Sequence, residues 1–178
     1  MRAAIDLFAE QGYDNSTVTQ IAQRAGLTKT TFFRHFPDKR EVLFAGQEIH
    51  SRLLADGIAE APDSATPLEA VAAALDAATA SFAPEQREFG PRLLAVVADN
   101  PELRERAAFK HAALAESMTE ALRKRGVPDL TAGLAADLGI RAFDRSFGQW
   151  ADPASQQTLP ELTRHALDEL RAATAALA

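Results

Sequence analysis

The sequence predicts an all-α protein of about nine helices, because apolar residues recur at helical spacing through almost every segment. Strand-like alternation between turn signals is missing, and the segment starts carry residues that cap helices. Thr17 with Gln20, Asp38 with Glu41, Thr66 with Glu69 and Thr158 with Glu161 have capping-box spacing. In such a box the first side chain accepts from the third helical amide and the later one reaches back. Asn100-Pro101-Glu102 marks another start: an amide cap, a proline where no amide hydrogen is needed, and a carboxylate near the positive end of the dipole. Gly12, Gly26 and Gly126 are expected stops, since glycine takes up the left-handed conformation cheaply. Helices are therefore expected at about 1–11, 17–25, 28–36, 38–60, 67–82, 85–98, 101–125, 129–150 and 159–177.

Composition narrows the function classes. The chain has 178 residues, 47% of them apolar, and no cysteine, so it has ample core and neither a disulfide framework nor a thiolate metal site. Its longest apolar runs are broken by charge well short of a bilayer span, so no membrane partner and a cytoplasmic location are expected. The net charge of −6 is unevenly distributed. Residues 24–40 carry five cations (Arg24, Lys29, Arg34, Lys39, Arg40) against Asp38 alone, whereas residues 46–178 carry 13 cations against 20 acids. A small basic site on an acidic body suits a nucleic-acid contact better than the total charge suggests.

That basic site coincides with a recognisable supersecondary pattern. Val18, Ile21, Ala22 and Ala25 share one face of the second helix, and Phe32 and Phe36 share one face of the third. Ala25-Gly26-Leu27 between them reads as a tight turn, with Leu27 placed to plug the angle, which is a helix-turn-helix. The outward side of the third helix carries Lys29, Thr30 and Arg34, flanked by Thr31, Phe33 and His35. Short hydroxyls and long cations suit phosphates and base edges.

The block Thr17-Val-Thr-Gln-Ile-Ala-Gln-Arg-Ala-Gly-Leu-Thr-Lys-Thr-Thr-Phe-Phe-Arg-His-Phe-Pro-Asp-Lys39 resembles the DNA-binding signature of the tetracycline-repressor family. The likeness begins at Ile5 and runs to Leu43. It implies that Thr28, Lys29, Thr30 and Phe33 approach the major groove while Thr17, Thr19, Thr31, His35 and Lys39 hold phosphates, with Arg34 beside them. Lys39 is also expected to join exposed amides at the start of the fourth helix. Phe33 stands where the family usually has Tyr, and Thr30 where it commonly has Gly. The resemblance further implies several more first-helix residues, often with a basic arm, ahead of Ala3. On this reading residues 1–45 form a helix-turn-helix DNA-binding domain and residues 46–178 a helical ligand-sensing and dimerisation domain.

The second region offers two groups of candidates. Phe82, Phe89, Leu93, Val97, Leu114 and Met118 are expected either in plain core or around a ligand cavity. The helix at 129–150 is apolar on opposed faces, one of Leu130, Leu134 and Leu138, the other of Ala136, Ile140, Phe143, Phe147 and Trp150. The second face, with Leu162, Ala166 and Leu170 of the last helix, is assigned to a homodimer contact. Arg141 and Arg145 lie near the Leu130 stripe, and Arg141 is within helical reach of Asp137 and Asp144. An internal ion pair is expected there; the sharper alternative is that one arginine meets an anionic group on the ligand.

No glycine-rich phosphate loop or nucleophile elbow appears, and His35, His50, His111 and His165 lack metal-ligand spacing, so no enzyme activity, metal or cofactor is expected. The expected function is a repressor released from double-stranded operator DNA by a small apolar or amphipathic effector. The alternative is a helical dimeric interaction protein with weakened or lost DNA binding.

Overall fold

The helices follow the apolar periodicity, and Thr17, Thr28, Thr66, Asn100 and Thr158 take up an amide at the start of five of them. In the computed structural model, which describes residues 1–177, these are α1 (Arg2–Gln11), α2 (Val18–Arg24), α3 (Lys29–His35), α4 (Gln47–Glu60), α5 (Pro67–Ala80), α6 (Pro84–Asp99), α7 (Pro101–Lys124), α8 (Asp129–Ala151) and α9 (Leu159–Ala175). A 3-10 turn, Glu41–Phe44, precedes α4, and no strand occurs among the described residues. Reciprocal capping boxes form at Thr17/Gln20, Thr66/Glu69 and Thr158/Glu161. Asn100 Oδ1 accepts from the Leu103 amide at 3.2 Å.

The fourth box is only half made, and the helix expected at 38–60 is broken. Asp38 Oδ1 accepts from the Arg40 and Glu41 amides at 2.8 and 3.1 Å. The Glu41 carboxylate does not reach back; it meets Arg106 and Lys110 of α7 at 2.5 and 2.9 Å. Gly46 then adopts φ +90°, a left-handed conformation that a side chain would strain, and α4 starts afresh at Gln47.

Two cores result. The larger joins α4, α5, α7, α8 and α9 around Ile58, Val71, Met118 and Leu122. Its helices approach closely at glycines: a Cβ on Gly57 would lie 2.6 Å from the Ala74 backbone, and one on Gly139 would lie 2.7 Å from Val71. The second core joins α1, α2, α3 and the 3-10 turn through Ile5, Phe8, Ile21 and Phe32, and continues into Phe89 and Val96 of α6 and Leu103 of α7. Ion pairs reinforce that seam, with Arg2–Glu88 at 3.2 Å, Asp6–Arg92 at 2.8 Å and Arg40–Glu102 at 3.0 Å.

The orientation of α8 is the reverse of the one expected. Ala136, Ile140 and Trp150 are buried inside the chain, as are Leu162 and Ala166 of α9, while Leu170 packs half-buried at the edge of the core. Outward lie Leu130, 76% exposed, and Leu134, 56% exposed. The close approach of α8 to α5 and α7 sets this side: Ala132, Ala135 and Ala136 are buried there, and a Cβ on Gly139 would lie 2.7 Å from Val71 and 2.9 Å from Met118.

Gly57→Ala is expected to lower the melting midpoint by a destabilisation of roughly 1–3 kcal/mol, because its Cβ meets backbone and not a yielding side chain. Calorimetric melting of the purified variant and parent measures this.

Candidate nucleic-acid interface and ligand cavity

The α2–α3 unit is built by local chemistry. Thr17 caps α2, and Thr28 caps α3 by accepting from the Thr31 amide at 3.1 Å. Between them Gly26, at φ +69°, lets the Leu27 amide donate to Ala22 at 2.8 Å. That bond closes the turn through the backbone, so Leu27 does not plug the angle and is left 45% exposed; Ala25 is also exposed. Ile21, Ala22 and Phe32 are buried against α1, with Val18 and Phe36 half-buried beside them.

Of the candidate DNA contacts, Thr17, Thr19, Thr28, Lys29, Thr30, Phe33, Arg34 and His35 are exposed, and Thr31 and Lys39 are half-buried. The basic residues divide into two sets. Arg24 is paired bidentately with Glu10, and Arg40 with Asp38 and Glu102. Lys39 donates to the carbonyls of Tyr13 and Ser16 at 2.7 and 3.2 Å and lies 4.0 Å from the Tyr13 ring centroid. Burial pushes the Tyr13 phenol up to about 12, so the ring under this ammonium stays neutral. The exposed amides expected beside Lys39 are already occupied by Asp38. Among the described residues Lys29 and Arg34 make no ion pair, and they sit on the outward face of α3 with Thr30 and Phe33. Phe33 is 47% exposed, its ring edge-on to Phe32 at 5.7 Å, with the Lys29 ammonium 5.9 Å from its centroid.

A cavity of about 350 Å³ lies where α4, α6, α7 and α8 meet the 3-10 turn. Phe82, Phe89, Leu93, Val97 and Leu114 line it. Met118 does not; it is fully buried in the larger core. Arg141 and Arg145 do not line it either: Arg141 is exposed, and Arg145 pairs with Glu169 of α9 at 2.9 Å. Nor does Arg141 pair with Asp137 or Asp144, because Asp144 meets His111 of α7 at 3.3 Å. Phe143 and Phe147, assigned from sequence to a dimer contact, face this cavity instead.

Sequence reading missed Gln47, His50 and His111 in the walls, having weighed the histidines only as metal ligands. The signal was the spacing of Gln47, His50 and Leu54 along one side of α4, obscured by the missed break at Gly46. Burial holds His50 below its ordinary value, so it is neutral at pH 7, and its ring stacks on Phe82 at 5.0 Å and 6°. Leu43, Phe44 and Ala45 also line the cavity, so the segment that ends the N-terminal unit forms part of its wall.

The profile of "Bacterial regulatory proteins, tetR family" matches residues 1–45, the span holding α1–α3 and the 3-10 turn. Over that span the chain is similar to this family. It is 35% identical over 77 residues to the HTH-type transcriptional regulator TcmR of Streptomyces glaucescens, covering 43% of this chain and 34% of that one. It is 34% identical over 59 residues to the HTH-type transcriptional activator FasR of Mycolicibacterium smegmatis, covering 33% and 27%. The matched segments thus span about a third of these curated relatives. The fold extends further: FadR of Bacillus subtilis, solved with stearoyl-CoA, superposes with a TM-score of 0.59 at 23% identity over 95% of this chain and 94% of that one. A TerR/AcrR-family regulator of Aquifex aeolicus gives 0.53 at 20% identity over 96% and 94%. No helix of the described residues is long and apolar enough to cross a membrane.

Lys39→Met is expected to destabilise the fold by roughly 1–3 kcal/mol, because it leaves two carbonyls without their charged donor. Arg34→Ala, at an exposed unpaired site, is expected to change the urea midpoint little. Arg106 first, and then Lys110, hold the Glu41 carboxyl below its ordinary value. A depressed folded-state value means that stabilisation is full above the ordinary carboxylate range and is lost as pH falls through the folded-state value. Glu41→Gln should therefore be less stable than the parent near pH 7, and urea melts across pH should show the gap closing in acid.

Proposed function

We propose that the protein is a ligand-responsive, DNA-binding transcriptional regulator acting as a homodimer, and that it is a repressor released from operator DNA by a small molecule. The observation that carries this reading is the outward face of α3, where Lys29 and Arg34 stand unpaired beside Thr30 and Phe33 while the other basic residues of the unit are committed internally. A solvated helix face explains two free cations taken alone. Their place within the 45-residue family match favours DNA. In this role Arg34 and His35 hold phosphates, with Thr17, Thr19 and Thr31 near the backbone. Thr28, Lys29, Thr30 and Phe33 meet base edges, Phe33 offering its ring to a thymine methyl.

The outward stripe of α8 supports the dimer: Leu130 and Leu134 are exposed on a helix whose other side is fully packed, and Gly133 beside them has nothing within 4 Å of a Cβ position. A two-fold axis here would carry two α3 helices into successive major grooves, about 34–36 Å apart. Effector binding acts through the shared wall. A molecule in the cavity touches Leu43, Phe44 and Ala45 directly, and touches α6, which is ion-paired to α1. Its preference for one arrangement of that wall is the coupling free energy that changes DNA affinity.

Fluorescence anisotropy with promoter DNA over a range of salt tests the reading. Sequence-selective binding with a steep salt dependence is expected. Arg34→Ala should shallow the slope by about one per protomer, about two for the dimer, and Thr30→Ala should change base preference while leaving the slope in place. Binding indifferent to sequence at every salt concentration points instead to a helical interaction protein without DNA reading. Leu134→Glu should convert the dimer to monomer in light scattering and remove tight binding to two-fold symmetric sites.

A further inference from the structure

The cavity walls specify a chemistry, and we propose that this cavity takes an uncharged aromatic molecule bearing a hydrogen-bond donor, a phenol-like hydroxyl, anchored on Gln47. The proposal rests on the ligand-responsive reading above and names the class of molecule that reading requires.

Shape and lining select for rings. Phe82, Phe143 and Phe147 cluster with mutual centroid distances of 5.7, 5.9 and 6.0 Å, and His50 stacks flat on Phe82. With Phe89 also in the wall, aromatic faces and edges surround a space of about 350 Å³, which has room for a fused bicyclic ring. The neutral state of His50 keeps that stack free of charge.

The charges select against ions. Lys110 and Asp144 are the ionised side chains in the lining, and each already has a partner: Lys110 is 2.9 Å from Glu41, and Asp144 is 3.3 Å from His111. An anionic ligand would have to compete with Glu41 for a half-buried ammonium, and a cation would have to displace His111. A neutral ligand disturbs neither pair.

One fully buried polar atom of the lining is without a partner among the described residues. Gln47 lines the cavity, and its Oε1 is buried with no hydrogen bond. Its Nε2 donates to the Lys110 carbonyl at 3.1 Å, and this fixes which end of the amide is the acceptor, since a flipped amide would set two oxygens against each other. A buried acceptor without a donor is destabilising, and a ligand hydroxyl that supplies the donor removes that penalty. Gln47 is also the first residue of α4 after the Gly46 break, so the anchor sits at the joint between the two regions.

Isothermal titration calorimetry on the full chain tests this with 2-naphthol, naphthalene, 2-naphthoate and dodecanoate as probes. The parent should bind 2-naphthol about tenfold more tightly than naphthalene, and more tightly than either carboxylate. Gln47→Leu should bring 2-naphthol down to the level of naphthalene without weakening naphthalene. Phe82→Leu, a milder change than truncation, should weaken both; circular dichroism melts confirm that each variant is folded. The proposal is overturned if no probe binds the folded parent, if a carboxylate binds more tightly than 2-naphthol, or if Gln47→Leu leaves the naphthol-to-naphthalene ratio unchanged. Anisotropy with promoter DNA separates the two readings. Gln47-dependent binding of 2-naphthol without effect on DNA affinity leaves the ligand class standing and removes the effector role. DNA release by dodecanoate alone does the opposite.

Discussion

The ion pairs that Glu41 makes with Arg106 and Lys110 are the constraint on which much of the remaining structure depends. The Glu41 side chain is only 13% exposed, and it receives two cations from successive turns of α7, so the end of the N-terminal unit is fixed to the helical body at a defined height. With the carboxylate drawn to α7, the segment after Asp38 makes a 3-10 turn in place of a continuous helix, and Gly46 resets the chain for α4. Leu43 and Phe44 are thereby turned toward the cavity. The same pairs neutralise Lys110 in the cavity wall, so a structural contact also shapes what the cavity accepts.

A similar economy governs the basic residues of the N-terminal unit. Arg24, Lys39 and Arg40 hold the unit together, through Glu10, through the Tyr13 and Ser16 carbonyls, and through Asp38 and Glu102. Lys29 and Arg34, projecting from the outward face of α3, remain available. A charge count along the sequence treats these five as one patch. Electrostatically they are a scaffold of internally held cations and two free ones, and only free cations have charge left to attract an anion from solution. The scaffold half keeps α3 presented to solvent at the angle the packing of α1 and α2 dictates.

The two regions are not independent bodies joined by a tether. Phe89, Val96 and Leu103 complete the core beneath α1–α3, and ion pairs run along α1 to α6. A change in the cavity that moves α6 has to move α1 or break those contacts, because packed interiors transmit displacement and do not absorb it. The N-terminal unit and the helical body are therefore joined by a continuous mechanical path.

Capping residues, helical periods and the turn at Gly26 were set by the sequence itself, since each depends on neighbours a few positions away. Thr17, Thr66, Asn100 and Thr158 start helices where their spacing says they should. The block from Thr17 to Lys39 was legible for the same reason. What tertiary structure alone decided involves partners far along the chain. Asp38 and Glu41 have the spacing of a capping box, but Arg106 and Lys110 outcompete the local amide for the second carboxylate. Two apolar faces on α8 were plain from its periodicity. Which one turned inward was not, because hydrophobicity ranks leucine with phenylalanine. The decision was steric at Gly139, where a Cβ would lie 2.7 Å from Val71 and 2.9 Å from Met118, so the side that carries it packs inward and Leu130 and Leu134 are left outside. Phe143 and Phe147 pass to the cavity, where Phe82 and His50 supply the surface they pack on.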